Sequence, residues 1–299
     1  MEQHSSPLDP DVLAKLKGLK VRAHRVVDGV LAGMHRSSCR GESVDFAEHK
    51  EYTPGDDPRH LDWRVLARLD RMYIKKYEAE CNLQAVLAID CSGSMGYASG
   101  TFSKVAYASL LAASLAMVLL RQGDAVGLIL VGGQEATWIP PLAGPEHLST
   151  LVEALEGISP SGPTSIQRAA ERYVEGCRRR GMLVLFSDLF DPNPNMLGSL
   201  RMVAARGHEV VVFQVLDPDE VTFPFEDPTL FVSMEDERSI LSFPREIRKA
   251  YLDEMNQFLG GIRRALSEGD IAYDLVRTDE PPHQPLIRKL YGQRRRSKG

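Results

Sequence analysis

Leu83-Gln84-Ala85-Val86-Leu87-Ala88-Ile89-Asp90-Cys91-Ser92-Gly93-Ser94 is the stretch on which the fold turns. The run from Leu83 to Ile89 carries no charge and reads as a short strand covered on both faces. A serine- and glycine-rich loop (91–100) and a helix from about Ser103 to Arg121 follow it. Working outward, Ala125–Val131, Met182–Phe186, Glu209–Leu216 and Ile271–Val276 are further strands of the same kind. Helical stretches at 165–179 and about 194–206, and an amphipathic segment from Pro244 to Leu266, lie between them, and Gly132-Gly133 reads as a turn between two strands. Strands alternating with helices imply a mainly parallel sheet with right-handed crossovers and helices on both faces. The expectation from about residue 80 onward is a doubly wound α/β domain.

Upstream, Leu13, Leu16, Leu19, Ala23, Val26, Val27 and Val30 recur at helical spacing between Asp11 and Leu31. Residues 37–71 are polar and punctuated by Pro54-Gly55 and Asp57-Pro58, which predicts an irregular, turn-rich segment. Met72–Tyr77 mixes aromatic, β-branched and basic residues, as a half-exposed strand does. The expected organisation is residues 1–79 packed on a main domain at 80–292, with a basic, disordered tail at 293–299.

Bulk properties exclude several classes. The 299 residues are 43% apolar and 26% charged, as in an ordinary globular protein. A net charge of -5 argues against a dedicated nucleic-acid binder, and Arg294-Arg295-Arg296-Ser297-Lys298 reads as a solvated terminus. The cysteines (Cys39, Cys81, Cys91, Cys177) have no CxxC spacing, which fits reduced thiols in the cytoplasm. Met1-Glu2-Gln3-His4-Ser5 lacks the start of a signal peptide. The longest apolar stretch, Val105–Leu120, is shorter than the ~20 residues of a membrane span and reads as a buried helix.

Ligands of such sheets bind at the carboxyl ends of the strands. Three polar clusters fall where the chain leaves a strand or enters a helix: Asp90-Cys91-Ser92-Gly93-Ser94, Gly162-Pro163-Thr164-Ser165 and Ser187-Asp188. Two carboxylates and three hydroxyls, from Asp90, Ser92, Ser94, Thr164 and Asp188, are all oxygen donors and suit a hard cation such as Mg²⁺ or Mn²⁺. Such an ion keeps water ligands and leaves a position for an incoming carboxylate.

Asp-x-Ser-x-Ser after the first core strand, with a downstream threonine and a later aspartate, resembles the metal-ion-dependent adhesion site of von Willebrand factor A domains. Asp90, Ser92 and Ser94 match the first motif, Thr164 the threonine and Asp188 the last aspartate. Pro163 stands before Thr164 where many A domains have glycine. A second block, Glu48-His49-Lys50-Glu51-Tyr52-Thr53-Pro54-Gly55-Asp56-Asp57-Pro58-Arg59-His60-Leu61-Asp62-Trp63-Arg64-Val65-Leu66-Ala67-Arg68, resembles the signature of the bacterial family called domain of unknown function 58. That resemblance implies an A-type domain after the block and a MoxR-type AAA+ ATPase as partner. Physically, Thr53-Pro54-Gly55-Asp56 is a good tight turn, and the aspartates and arginines after it can pair to brace an irregular loop or present a docking surface.

Other chemistries fit less well. Ser92-Gly93-Ser94-Met95-Gly96 lies between strand and helix as a nucleophile elbow does, so a serine hydrolase using Ser94 is the remote alternative. Its base would be a late histidine, but His208 precedes a strand and His283 lies among prolines in a terminal loop. No phosphate-binding glycine loop and no zinc-ligand spacing occur. The expectation is therefore a non-enzymatic protein-binding adaptor or assembly factor. The alternative is a scaffold whose degenerate adhesion site binds partners without metal.

Overall fold

The computed structural model describes residues 18–38, 49–51, 73–75, 83–132, 135–236 and 238–296. The chain divides into two compact units, residues 34–82 and the remainder. It opens with helix α1 (Leu19–Ser38). In the smaller unit, β1 (His49–Glu51) and β2 (Tyr73–Lys75) pair antiparallel, with Lys50 opposite Ile74. β2 lies within the strand expected at 72–77. The signature block is outside the described residues apart from the three of β1.

The main unit continues with β3 (Gln84–Asp90), α2 (Lys104–Arg121), β4 (Ala125–Gly132), β5 (Glu135–Leu142), α3 (His147–Glu156) and α4 (Ile166–Gly176). Then come β6 (Met182–Ser187), α5 (Met196–Ala205), β7 (Glu209–Leu216) and the short α6 (Pro218–Thr222). A two-stranded ribbon, β8 (Thr229–Val232) and β9 (Ser239–Ser242), precedes α7 (Pro244–Glu268), β10 (Ala272–Arg277) and α8 (His283–Arg296). The six-stranded sheet has the order β5-β4-β3-β6-β7-β10. All of its pairs are parallel except β4 with β5. This is a doubly wound sheet, and β3, between β4 and β6, stands where the order reverses.

The strands' composition follows from burial on both faces. Val86 and Ala88 of β3 join Leu183, Leu185, Val210 and Val212 in a core under Ala170 and Tyr173 of α4, Leu200 of α5 and Leu266 of α7. The other face is covered by α2, which packs on β3, β4, β6 and β7. Here Phe186 and Phe213, register partners on β6 and β7, stack with ring centroids 5.1 Å apart. Nearly every residue of α2 from Lys104 to Leu120 is buried. It is long and apolar enough to cross a membrane by length and composition, but here it is the sheet's central cover.

Two boundaries differ from expectation. The helical positions expected at Leu13 and Leu16 lie outside the described residues; the buried stripe of α1, Leu19, Ala23, Val26, Val27 and Val30, belongs to the main unit up to Gly33, so the expected break at 79 falls elsewhere. The Leu19 amide donates to Glu156 at the end of α3 (2.6 Å). β5 is the sixth strand of the sheet and follows the turn expected at Gly132-Gly133. Prolines are tolerated there because β5 is the sheet's edge, beside a register irregularity between Val126 and Leu128. Residues 293–296, expected in a disordered tail, continue α8, and His283 opens that helix with Pro285 in its first turn.

His208, at the amino end of β7, has a structural role. Its Nδ1 receives the Gly181 amide (3.2 Å), so that nitrogen is unprotonated, and the Tyr173 hydroxyl lies 3.0 Å from it. Burial, with Arg206 and Arg180 nearby, lowers its pKa below the ordinary 6.5. A depressed histidine pKa contributes stability that is complete above the unfolded value and is lost as pH falls through the folded one. The urea midpoint is therefore expected to fall between pH 7.5 and 5.5. It should fall less in His208→Asn, whose amide oxygen accepts without titrating. Equal slopes for the two proteins would contradict this role.

Candidate metal centre

The carboxyl ends of β3 and β6 lie side by side, and the oxygen-bearing residues expected at the rim converge there. Asp90 closes β3 and is fully buried. Its Oδ1 accepts the Ser92 amide (2.9 Å), and its Oδ2 accepts the hydroxyls of Thr164 and Ser187 (both 2.6 Å). Ser92 and Ser94 place their Oγ atoms 3.1 Å apart. Ser92 is fully buried, and Thr164 is 6% exposed despite the proline before it.

Backbone bonds explain how three loops meet. Cys91 donates to Val131 of β4 (2.6 Å), Ser161 donates to the Cys91 carbonyl (2.9 Å), and Gly93 donates to Gly162 (2.9 Å). The last two hold the 160–164 loop against the β3 loop, so Thr164 reaches Asp90. The next helix is set by Asp191, whose Oδ2 accepts the Ile166 amide at 3.0 Å. After β6 the chain turns sharply: Leu189, a non-glycine residue, has φ 63°. Left-handed backbone of this kind is held in place by its surroundings and recurs at functional sites. Here the Phe190 amide donates to Asp188 Oδ1 (3.0 Å), and Gln214 donates to the Asp188 carbonyl (2.8 Å).

Asp188 is not an isolated carboxylate. Its Oδ2 accepts the Lys104 ammonium at 2.8 Å, with both side chains fully buried. Lys104 also pairs with Glu220 at 2.5 Å. Burial alone would lower the lysine pKa, but Asp188 and Glu220 together hold it above 10.5. Glu220 is fixed in turn by accepting the Asp217 amide within a capping box (2.8 Å). Lys104 and Glu220 were not expected from the sequence. The available signal was a lysine in the first turn of an otherwise apolar helix, where a cation opposes the helix dipole and needs anionic partners.

Glu235 completes the rim. It lies in the turn between β8 and β9, its Cγ 3.5 Å from where a Cβ on Gly93 would stand, and Ser94 is among the groups that favour its charged form. Burial raises its pKa, and the charge of Asp188 adds to that rise. For Asp90, burial and then the Asp188 charge outweigh its three hydrogen bonds and push the pKa up to about 6. The rim thus gathers more negative charge than Lys104 offsets.

The donor set fits a hard divalent cation. Octahedral Mg²⁺ with ligands at ~2.0–2.1 Å has neighbouring ligand atoms about 2.9 Å apart. The 3.1 Å between the Ser92 and Ser94 hydroxyls is close to that edge. Because Thr164 spends its proton on Asp90, the lone pairs of its oxygen remain available. Among the described residues no three His, Cys, Asp or Glu side chains form a metal cage, so a cation here would rely on hydroxyls and water. The hydrolase alternative gains nothing from the geometry. Ser94 bonds to Ser92, and His208 is at the opposite end of the sheet. His283 follows β10, a strand three places from β3 and about 14 Å from it across the sheet.

Sheet order and rim together define a von Willebrand factor A-like α/β domain. The chain belongs to the family described as "Protein of unknown function DUF58", whose model matches residues 48–257. It is 31% identical over 220 residues to uncharacterized proteins of Mycobacterium tuberculosis and Mycobacterium bovis, covering 72% of this chain and 68% of theirs. Among solved structures it is similar to an aerotolerance-related membrane protein of Bacteroides fragilis (21% identity, TM-score 0.47, covering 69% of this chain and 99% of that one). It is also similar to the conserved hypothetical protein BatB of Bacteroides thetaiotaomicron (18%, TM-score 0.48, 71% and 99%). A third similar structure is the VWA domain of SpRpn10 (11%, TM-score 0.38, 71% and 94%).

Proposed function

We propose that this chain is a non-enzymatic, cytoplasmic protein-binding adaptor or assembly factor that uses a divalent-metal adhesion site to grip a carboxylate of its partner. The convergence of Ser92, Ser94 and Thr164 around the buried Asp90 carries this reading. Mg²⁺ or Mn²⁺ bound to these hydroxyls would supply a Lewis-acidic position for the partner's Asp or Glu. Asp90 orients the threonine hydroxyl and contributes charge. Asp188, paired to Lys104, acts through water. The partner we propose is a MoxR-type AAA+ ATPase, on family resemblance alone; neither nucleic acid nor a membrane span enters this reading.

One observation favours a second reading. Lys104 already places a positive charge against Asp188, as a scaffold binding partners without metal would require. Pull-downs separate the two. Partners recovered in Mg²⁺ should be lost in EDTA, and recovery of the same partners in both would sink the metal-dependent reading.

A further inference from the structure

The turn that bears Glu235 sits directly on the proposed adhesion site. A Cβ added to Gly93 would lie 2.0 Å from the Met234 carbonyl oxygen and 3.5 Å from Glu235 Cγ. A Cβ on Gly96 would lie 3.3 Å from Met234 Cε. Only a residue without a side chain at 93 lets the turn approach this closely. The turn has its own frame: Ser233 donates its amide to the Arg238 carbonyl (2.8 Å), and Ser233 Oγ accepts the amides of Glu235 (3.3 Å) and Asp236 (3.2 Å). At its base, the Phe231 ring packs on Phe223 and Phe225, with centroids 5.8 and 5.3 Å away. The outward residues Leu230, Val232 and Leu241 are 58%, 63% and 64% exposed. A two-stranded ribbon of four residues a side is marginally stable by itself. Its tip can therefore leave while its aromatic base stays.

Resting on the adhesion-site reading, we infer that Glu235 is a built-in ligand: beside Gly93, on the loop that carries Ser92 and Ser94, it holds the place that a partner's carboxylate takes, and a partner binds by displacing the β8–β9 tip. The placement agrees with this: the Glu235 side chain stands beside Gly93, between the two serines whose hydroxyls lie 3.1 Å apart. A partner must then outcompete an intramolecular group at high effective concentration, which favours partners that also engage the exposed ribbon face.

Mn²⁺ titration of the whole chain, read by water-proton relaxation, tests this. Wild type should bind Mn²⁺. Glu235→Gln and Glu235→Ala should each bind at least about tenfold more weakly, since even outer partners of a metal site contribute that much. Both should also show higher relaxation per bound ion, because water fills the vacated position. Added acetate should lower the relaxation of Glu235→Ala and leave wild type unchanged. If both variants match wild type in affinity, relaxation and acetate response, Glu235 is not a ligand and the inference is overturned, while the adhesion site stands. If wild type binds no more Mn²⁺ than Asp90→Asn, the adhesion-site reading itself fails and the inference falls with it.

Discussion

Lys104→Met is expected to destabilise the fold by about 3–5 kcal/mol, the usual cost of breaking a buried ion pair from one side. Lys104 and Asp188 have no solvent-exposed side-chain surface, and Glu220 has 18%. Methionine fills much of the lysine volume, so the loss is electrostatic: two carboxylates would face each other with no cation between them. Asp90 adds a third charge close by. The effect is visible as a lower urea midpoint at unchanged slope. Adding Asp188→Asn to Lys104→Met should recover part of the loss, since the two positions are in contact and their effects should not add. A loss under about 1 kcal/mol for Lys104→Met would mean that the pair is not buried as described. The same variant bears on the metal. Freed from lysine, Asp188 should draw a divalent ion more strongly, so Mg²⁺ should restore stability to Lys104→Met more than it raises that of wild type.

Asp90→Asn should separate the fold from its function. For wild type, Mg²⁺ at a hundred times its dissociation constant should add about 2.7 kcal/mol to the unfolding free energy. For Asp90→Asn the increment should vanish, together with Mg²⁺-dependent recovery of partners. The variant should still fold. The asparagine oxygen can accept the Ser92 amide, and its NH₂ can donate to the Thr164 and Ser187 hydroxyls, which then reverse roles. Removing a carboxylate that burial already disfavours in the charged form should leave metal-free stability equal or higher, as is common for residues kept for function. Thermal unfolding of both proteins in EDTA and in Mg²⁺ gives the comparison directly. An equal Mg²⁺ increment in the two proteins would remove Asp90 from any metal site.

Much of this molecule was readable along the chain because its information is local. A parallel strand covered on both faces needs an unbroken apolar run, so β3, β6 and β7 announce themselves. Ligand-bearing residues of such sheets follow their strands, so Asp90, Ser92, Ser94 and Asp188 were identifiable by position. The edge strand β5 is legible only as the partner across the Gly132-Gly133 turn, and its Pro140-Pro141 pair is compatible with a strand because its outer side needs no partner. The β8–β9 ribbon is not legible in the sequence, since its strands are only four residues long and all its apolar residues except Phe231 stay exposed.

Sequence by itself therefore determined the doubly wound sheet and the oxygen donors at its rim, because strand period and strand ends are set by neighbouring residues. Only the tertiary structure decided what those donors meet. Lys104 reaches Asp188 across 84 positions because α2 covers the β6 end of the sheet. Glu235 reaches the loop between Ser92 and Ser94 because Gly93 leaves room for a turn arriving from a distant part of the chain. Contacts between distant segments depend on how layers stack in space, and no local pattern records that.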